Sequence, residues 1–161
     1  MAQAKKPLDV GSKAPRFRLQ DQDGETTTAK DLDGVYYVFF FYPKASTPGC
    51  TQETCDFRDA RSAFEQAGVH VFGVSPDPAA RQAKFHLKYE VTFPLLCDTD
   101  HALAEAYGCW KEKKLYGKTY MGIVRSAFLI DGKGKIAGAF YKVSPKNTPV
   151  KLLAALEGIE A

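Results

Sequence analysis

Val35-Tyr36-Tyr37-Val38-Phe39-Phe40-Phe41 is a continuous apolar run of β-forming residues, and Tyr42-Pro43-Lys44-Ala45-Ser46-Thr47-Pro48-Gly49-Cys50-Thr51-Gln52-Glu53-Thr54-Cys55 comes directly after it. A run without alternation predicts a strand buried on both faces of a parallel sheet. Pro43 ends it. Thr47 then reads as a helix N-cap and Pro48 as the first helical residue. A helix is predicted over residues 48–67, before Gly68, with Phe57, Ala60, Phe64 and Ala67 as its apolar stripe. Val69-His70-Val71-Phe72-Gly73-Val74-Ser75 is the next strand. Strand, helix and strand together make a βαβ unit, which crosses over right-handed.

Cys50 falls in the first turn of that helix, just past the carboxyl end of the buried strand. Open α/β sheets form their sites there. The unpaired amides and the macrodipole at a helix start favour the thiolate, which is the attacking form. Cys50 lies seven residues before Phe57 and so continues the apolar stripe toward the fold. Cys55 aligns instead with Arg58, Asp59, Ser62 and Gln66, a polar face. One thiol is expected to point inward and the other to be accessible. Two plainer readings compete: a cysteine as a small buried hydrophobe, or a pair as half of a metal site.

The rest of the chain extends the same pattern. Met1 to Lys13 is expected as a loose tail ending near Pro15. Phe17–Leu19 and Glu25–Thr28 flank Asp21-Gln22-Asp23-Gly24 as a hairpin. Asp77 and Pro78 read as N-cap and first residue of a helix to about Tyr89. Phe93–Cys97 is a short strand, and Asp98 or Asp100 caps a helix from His101 to Tyr107 that Gly108 ends. Trp110 to Gly122 is expected as a loop rich in Lys and Tyr. Arg125–Ile130 and Lys135–Tyr141 are strands joined by Asp131-Gly132-Lys133-Gly134, and Thr148-Pro149 opens a last helix. Alternating strands and helices, then a hairpin and a terminal helix, give an α/β layer fold.

At 161 residues the chain is expected to form one domain over residues 1–161. Its 22 basic and 19 acidic residues leave a net charge of +3, too balanced to argue for nucleic acid. The Lys5-Lys6 pair and the run Lys111-Glu112-Lys113-Lys114 read as solvated surface. Neither a membrane span nor a signal peptide is visible, so the chain is expected in the cytoplasm, a reducing compartment. Four cysteines there argue for catalysis, metal or plain burial rather than a disulfide framework.

Pro43-Lys44-Ala45-Ser46-Thr47-Pro48-Gly49-Cys50 resembles the Pro-x-x-x-Thr/Ser-x-x-Cys signature of peroxiredoxins. Cys55, five residues on, resembles the second cysteine of the bacterioferritin-comigratory (Q-type) subfamily. Further matches are Gly117-Lys118-Thr119-Tyr120, Gly122-Ile123 and Arg125-Ser126-Ala127-Phe128-Leu129-Ile130-Asp131, so the likeness spans nearly the whole chain. It implies a thioredoxin-like fold: a central mixed β-sheet flanked by helices, with an N-terminal β-hairpin extension. It implies a thiol peroxidase of antioxidant defence acting on hydrogen peroxide and organic hydroperoxides. Cys50 would be the peroxidatic thiol and Cys55 the resolving one, closing an intramolecular disulfide that a thioredoxin-type dithiol reduces. Arg125 would supply positive charge, Thr47 a hydroxyl, Pro43 a shield over the cysteine and Glu53 an orienting contact. No cofactor, metal, nucleic acid or membrane is implied, and a monomer is expected. Spacing alone would leave Arg125 on the surface, Thr47 as an ordinary cap and Pro43 as a strand terminator.

The implied disulfide carries a geometric condition. Positions five apart on a regular helix stand about 8.7 Å apart between Cα atoms. A disulfide rarely tolerates more than ~7 Å. The first turns must therefore open for Cys50 and Cys55 to join. Two other functions compete. A thiol–disulfide oxidoreductase shares the fold, but its motif has two residues between the cysteines and this chain has four. A zinc or iron–sulfur module would use Cys50, Cys55, Cys97 and Cys109, at spacings that match no common pattern. Cys97 and Cys109 read as structural, and His70, His86 and His101 sit on separate elements.

Overall fold

The computed structural model describes residues 7–146 and 148–160, with residues 115, 159 and 160 as backbone only. Arg18–Gln20 (β1) and Thr26–Thr28 (β2) form the expected hairpin, with Leu19 opposite Thr27. Asp21 holds its turn, Oδ1 accepting from the amides of Asp23 and Glu25 at 2.9 and 3.0 Å. Then come Tyr36–Phe41 (β3), Pro48–Asp59 (α1), Arg61–Gln66 (α2), Val69–Ser75 (β4), Ala79–Lys88 (α3) and Leu95–Cys97 (β5). Ala102–Ala106 (α4), Trp110–Leu115 (β6), Lys118–Ile123 (β7), Ser126–Ile130 (β8), Ile136–Phe140 (β9) and Thr148–Glu160 (α5) complete the order.

The main sheet runs β5-β4-β3-β8-β9, with β3, β4 and β5 parallel and β8 and β9 antiparallel. β3 is its middle strand, which explains the unbroken apolar run. Val38, Phe40 and the adjoining Tyr42 enter one core with Phe57, Phe64, Phe85 and Leu152. Tyr37, Phe39 and Phe41 enter the opposite core with Phe72, Leu103, Tyr107 and Phe128. Each fully buried phenylalanine of this strand contributes about 1.5–3 kcal/mol relative to exposure. The strand is thus held from both sides, and the loop from Tyr42 to Thr47 departs from a rigid end.

Several expectations are corrected. The helix expected over 48–67 breaks at Ala60 (φ −88°, ψ 0°), giving α1 and α2. Phe57 and Phe64 keep the shared face that helical spacing gives them and enter the same core on either side of the break, Phe57 stacked on Phe40 at 4.3 Å. Asp77 does not cap α3. Pro78 holds the cap position, and the Asp77 carboxylate accepts from the buried amide of Ala45 at 2.7 Å instead. The expected loop Trp110–Gly122 is the antiparallel ribbon β6–β7, turning at Tyr116 (φ 51°) and Gly117 (φ 76°). Lysines along the ribbon hide the period-2 alternation that marks a half-buried strand.

The tail is tied down where it is described. Gly11 donates to Ile136 O, Ile136 to Ser12 O and Ala14 to Gly134 O, each at 2.8 Å. This covers the edge of β9, whose free amides and carbonyls would otherwise stand open. Residues 1–6, including Lys5-Lys6, lie outside the described residues. The helix expected from His101 starts at Ala102, with His101 at the cap position in a left-handed backbone (φ 51°) in place of Asp98 or Asp100; those two carboxylates still accept its amides, Leu103 and Ala104 on Asp98 and Ala102 on Asp100. No described helix is long and apolar enough to cross a membrane.

Candidate active site

The site begins where β3 ends. The amide of Tyr42 still donates to Val74 O at 3.0 Å, and Pro43, half-buried, then turns the chain away. Ser46 adopts a left-handed backbone (φ 67°), and Ala45 is buried between them. A buried network shapes this loop. Tyr42 OH donates to Gln82 Oε1 at 2.6 Å, Gln82 Nε2 to Ser75 Oγ at 2.9 Å, and Ser75 Oγ to Asp77 Oδ2 at 2.8 Å. Asp77 Oδ2 also takes the Ala45 amide. Burial keeps the Tyr42 phenol far above its ordinary pKa, so it remains a donor.

Thr47 occupies the N-cap position with extended backbone, and its carbonyl accepts from Thr51 N at 2.9 Å. Its hydroxyl does not cap α1. It donates to Lys44 O at 2.8 Å, closing the loop on itself and keeping its lone pairs for another donor. Pro48 has no amide hydrogen, so Gly49 and Cys50 carry the first free amides of the helix. Helix starts of this kind suit anionic or electron-rich ligands. Cys50 is only 1% exposed, seated in the core that holds Phe57.

Arg125 lies just before β8, and its side chain is 15% exposed. Nη2 donates to Cys50 Sγ at 3.3 Å, and Nη1 donates to Glu53 Oε1 at 2.7 Å. A Cβ at Gly49 would stand 3.2 Å from Nη2 and 3.4 Å from Pro145 Cγ, so glycine there admits the guanidinium. Glu53 is fully buried, one turn along α1 from Cys50, and its Oε2 accepts from Thr148 Oγ1 at 2.8 Å. Burial pushes its carboxyl up to about 7, against the pull of Arg125 and Thr148.

The structure thus brings Cys50, Arg125, Glu53, Thr47 and Pro43 to one end of β3 and α1. Cys55 is half-buried further along α1, and all four cysteines are free. Burial raises the Cys55 thiol, with Arg58 opposing. Cys97 ends β5, its thiol pushed up to about 11 by burial, with Asp21 and Asp77 adding to the rise. Cys109 is fully buried, donates to Ala104 O at 3.5 Å and is raised further still by burial. Neither meets the site's other residues, and among the described residues no three His, Cys, Asp or Glu side chains gather as a metal set.

Two residues of the site give no sign of it in the sequence. Thr148 reads there only as the start of a helix. Lys113 belongs to a run read as solvated, yet its Nζ donates to Ile123 O at 2.8 Å. Burial lowers its ammonium, Arg125 adds to that, and the charge on Cys50 opposes it. No local signal pairs either with Cys50, because both arrive through tertiary packing.

Comparison with known proteins decides the family. The model of the AhpC/TSA family matches residues 10–139. The chain belongs to that family. It is 45% identical over 150 residues to peroxiredoxin Bcp of Bacillus subtilis, covering 93% of this chain and 96% of that protein. To peroxiredoxin Bcp of Escherichia coli K12 it is 46% identical over 141 residues, covering 88% and 90%. The bacterioferritin comigratory protein of Xanthomonas campestris, solved as trapped-intermediate and ligand complexes that bear on its alkyl peroxide reduction activity, superposes with a TM-score of 0.88. That match has 36% identity and covers 95% of this chain and all of the other. The chain is therefore a peroxiredoxin of the Bcp type, and its mixed sheet with flanking helices is the thioredoxin-like fold.

Proposed function

We propose that this chain, as one domain, is a thiol-dependent peroxidase whose attacking group is Cys50. The observation that carries the reading is the guanidinium of Arg125 donating to Cys50 Sγ at 3.3 Å at the first turn of α1. The Cys50 thiolate attacks the terminal oxygen of ROOH. An S–O bond forms, the O–O bond breaks, sulfur loses two electrons, and RO⁻ leaves to take a proton as ROH. The amides of Gly49 and Cys50, the Arg125 fork and the Thr47 hydroxyl are the groups available to the peroxide oxygens. Pro43 shields the sulfur from one side. Cys55, held as a thiol by partial burial, does not compete for peroxide. It then displaces hydroxide from the sulfenic acid, giving the Cys50–Cys55 disulfide and water. A thioredoxin-type dithiol reduces that disulfide, no bound cofactor is needed, and the protein works as a cytoplasmic monomer.

The family membership and the alkyl peroxide reduction activity of the Xanthomonas neighbour support this reading. Hydrogen peroxide and alkyl hydroperoxide consumption, measured with a thioredoxin system and with dithiothreitol, tests it. Cys50→Ser is expected to lose turnover entirely. Wild-type turnover in that variant would overturn the assignment.

A further inference from the structure

Thr148 opens the C-terminal helix, 95 residues from Glu53, and its side chain is fully buried. Its Oγ1 lies 2.8 Å from Glu53 Oε2 and 2.9 Å from Ser144 O. A hydroxyl has one hydrogen to donate and two lone pairs. If Glu53 is ionised, both neighbours are acceptors and one is left wanting. The hydroxyl donates to the ionised carboxylate, where the charge makes the stronger bond, and can turn to Ser144 O when the carboxyl carries a proton. The other oxygen of Glu53 takes Arg125 Nη1, whose Nη2 reaches Cys50. Four groups therefore stand in line: the Ser144 carbonyl, Thr148, Glu53 and the guanidinium on the sulfur.

We propose that Thr148 is a positioning residue of the thiol site, setting through Glu53 how the guanidinium of Arg125 faces Cys50. This deepens the peroxidase reading and rests on it for its consequence. The groups around Glu53 are few. Arg125 approaches from the start of β8, Thr148 from α5, and Asp56 stands on the same helix as a like charge. Burial raises the carboxyl to about 7, so both forms are populated at neutral pH. With Glu53 neutral, the Arg125 charge falls undivided on Cys50. With Glu53 ionised, the two acids share it. Thr148 biases this choice because its hydroxyl can donate to the ionised carboxylate.

The test uses the full reduced chain. Carbon-13 NMR of side-chain carboxyls follows Glu53 directly, with Glu53→Gln identifying its signal. Thr148→Val is close in shape and removes the hydroxyl; Thr148→Ser keeps it. Thr148→Val is expected to raise the Glu53 midpoint by about one pH unit, the scale of one hydrogen bond to a charged group. Near neutral pH it is also expected to speed alkylation and peroxide oxidation of Cys50 by about twofold to threefold, because a neutral Glu53 leaves the Arg125 charge to the sulfur. Thr148→Ser is expected to restore both. In a Glu53→Gln background, Thr148→Val should change neither rate, since the path through Glu53 is already cut. An unmoved Glu53 midpoint, a slower Cys50 in Thr148→Val, or equal acceleration by valine with and without Glu53 would overturn the proposal. Absence of peroxide consumption in the wild type would instead sink the peroxidase reading, while the NMR and alkylation comparisons would still decide the role of Thr148.

Discussion

Arg125 and Cys50 stand 75 residues apart and meet at 3.3 Å. The planar guanidinium serves Cys50 and Glu53 at once, which a single ammonium cannot do with the same geometry. Arg125→Lys keeps the charge and loses the fork. We expect the second-order rate constant of Cys50 with peroxide to fall about 10- to 100-fold, matching one charge-assisted hydrogen bond. Stopped-flow oxidation measures it, and an unchanged constant would remove Arg125 from the chemistry. Glu53 adds a pH dependence of opposite sign to an ordinary ion-paired carboxylate. Its pKa rises from 4.5 to about 7 on folding, so the folded chain holds this proton more tightly than the unfolded one. Its contribution is most favourable below pH 4.5 and is lost as pH rises to about 7. The span amounts to about 3 kcal/mol at most. Denaturant midpoints between pH 5 and 7.5 should therefore fall less steeply in Glu53→Gln than in wild type. Parallel curves would place the carboxyl's titration elsewhere.

α1 carries both Cys50 and Cys55 within one regular helix, Pro48–Asp59. Their Cα separation in such a helix, about 8.7 Å, forbids a disulfide. Closing that bond has to open the first turns, at the cost of particular contacts. Glu53 would leave Arg125 and Thr148, and Phe57 would lose part of its stacking on Phe40. The oxidised protein should therefore exchange amide hydrogens faster from Cys50 to about Arg58 than the reduced protein. Equal protection in both states, with the disulfide confirmed by mass spectrometry, would refute the unwinding. The break at Ala60 gives this step a boundary, because α2 can remain packed through Phe64 while α1 opens.

Across the whole molecule, the sheet separates the site from Cys109, and β4 alone lies between β3 and the edge strand that carries Cys97. Cys109 is buried in the core on the far side of β3, and Cys97 lies at the end of edge strand β5. Cys109→Ala should lower stability by about 1–3 kcal/mol through the lost packing. Peroxide turnover with thioredoxin should stay at the wild-type level in both Cys97→Ala and Cys109→Ala. Failure of either variant to be recycled would mean that the resolving thiol is not Cys55. The buried line from Tyr42 through Gln82 and Ser75 to Asp77 ties α3 and β4 to the Ala45 amide, so the loop before Cys50 is shaped by elements well beyond α1.

The amino-acid sequence by itself determined β3, the helix start at Pro48, the inward Cys50 and the parallel pairing of β3 with β4. These have local causes: an unbroken apolar run, a proline that fits the first helical position, and a stripe at helical spacing. The ribbon β6–β7, the break at Ala60 and the use of Asp77 had none. A lysine-rich ribbon lacks alternation, the helix breaks at an alanine of high helix propensity, and a carboxylate goes where a buried amide needs an acceptor. The partners of Cys50 belong to the same class. Spacing alone would have left Arg125 on the surface, and only the family likeness assigned it to the site. Thr148 carried no signal at all. Both reach Glu53 because β8 and α5 pack beside the start of α1, and a contact between distant segments exists only once the sheet that carries them has closed.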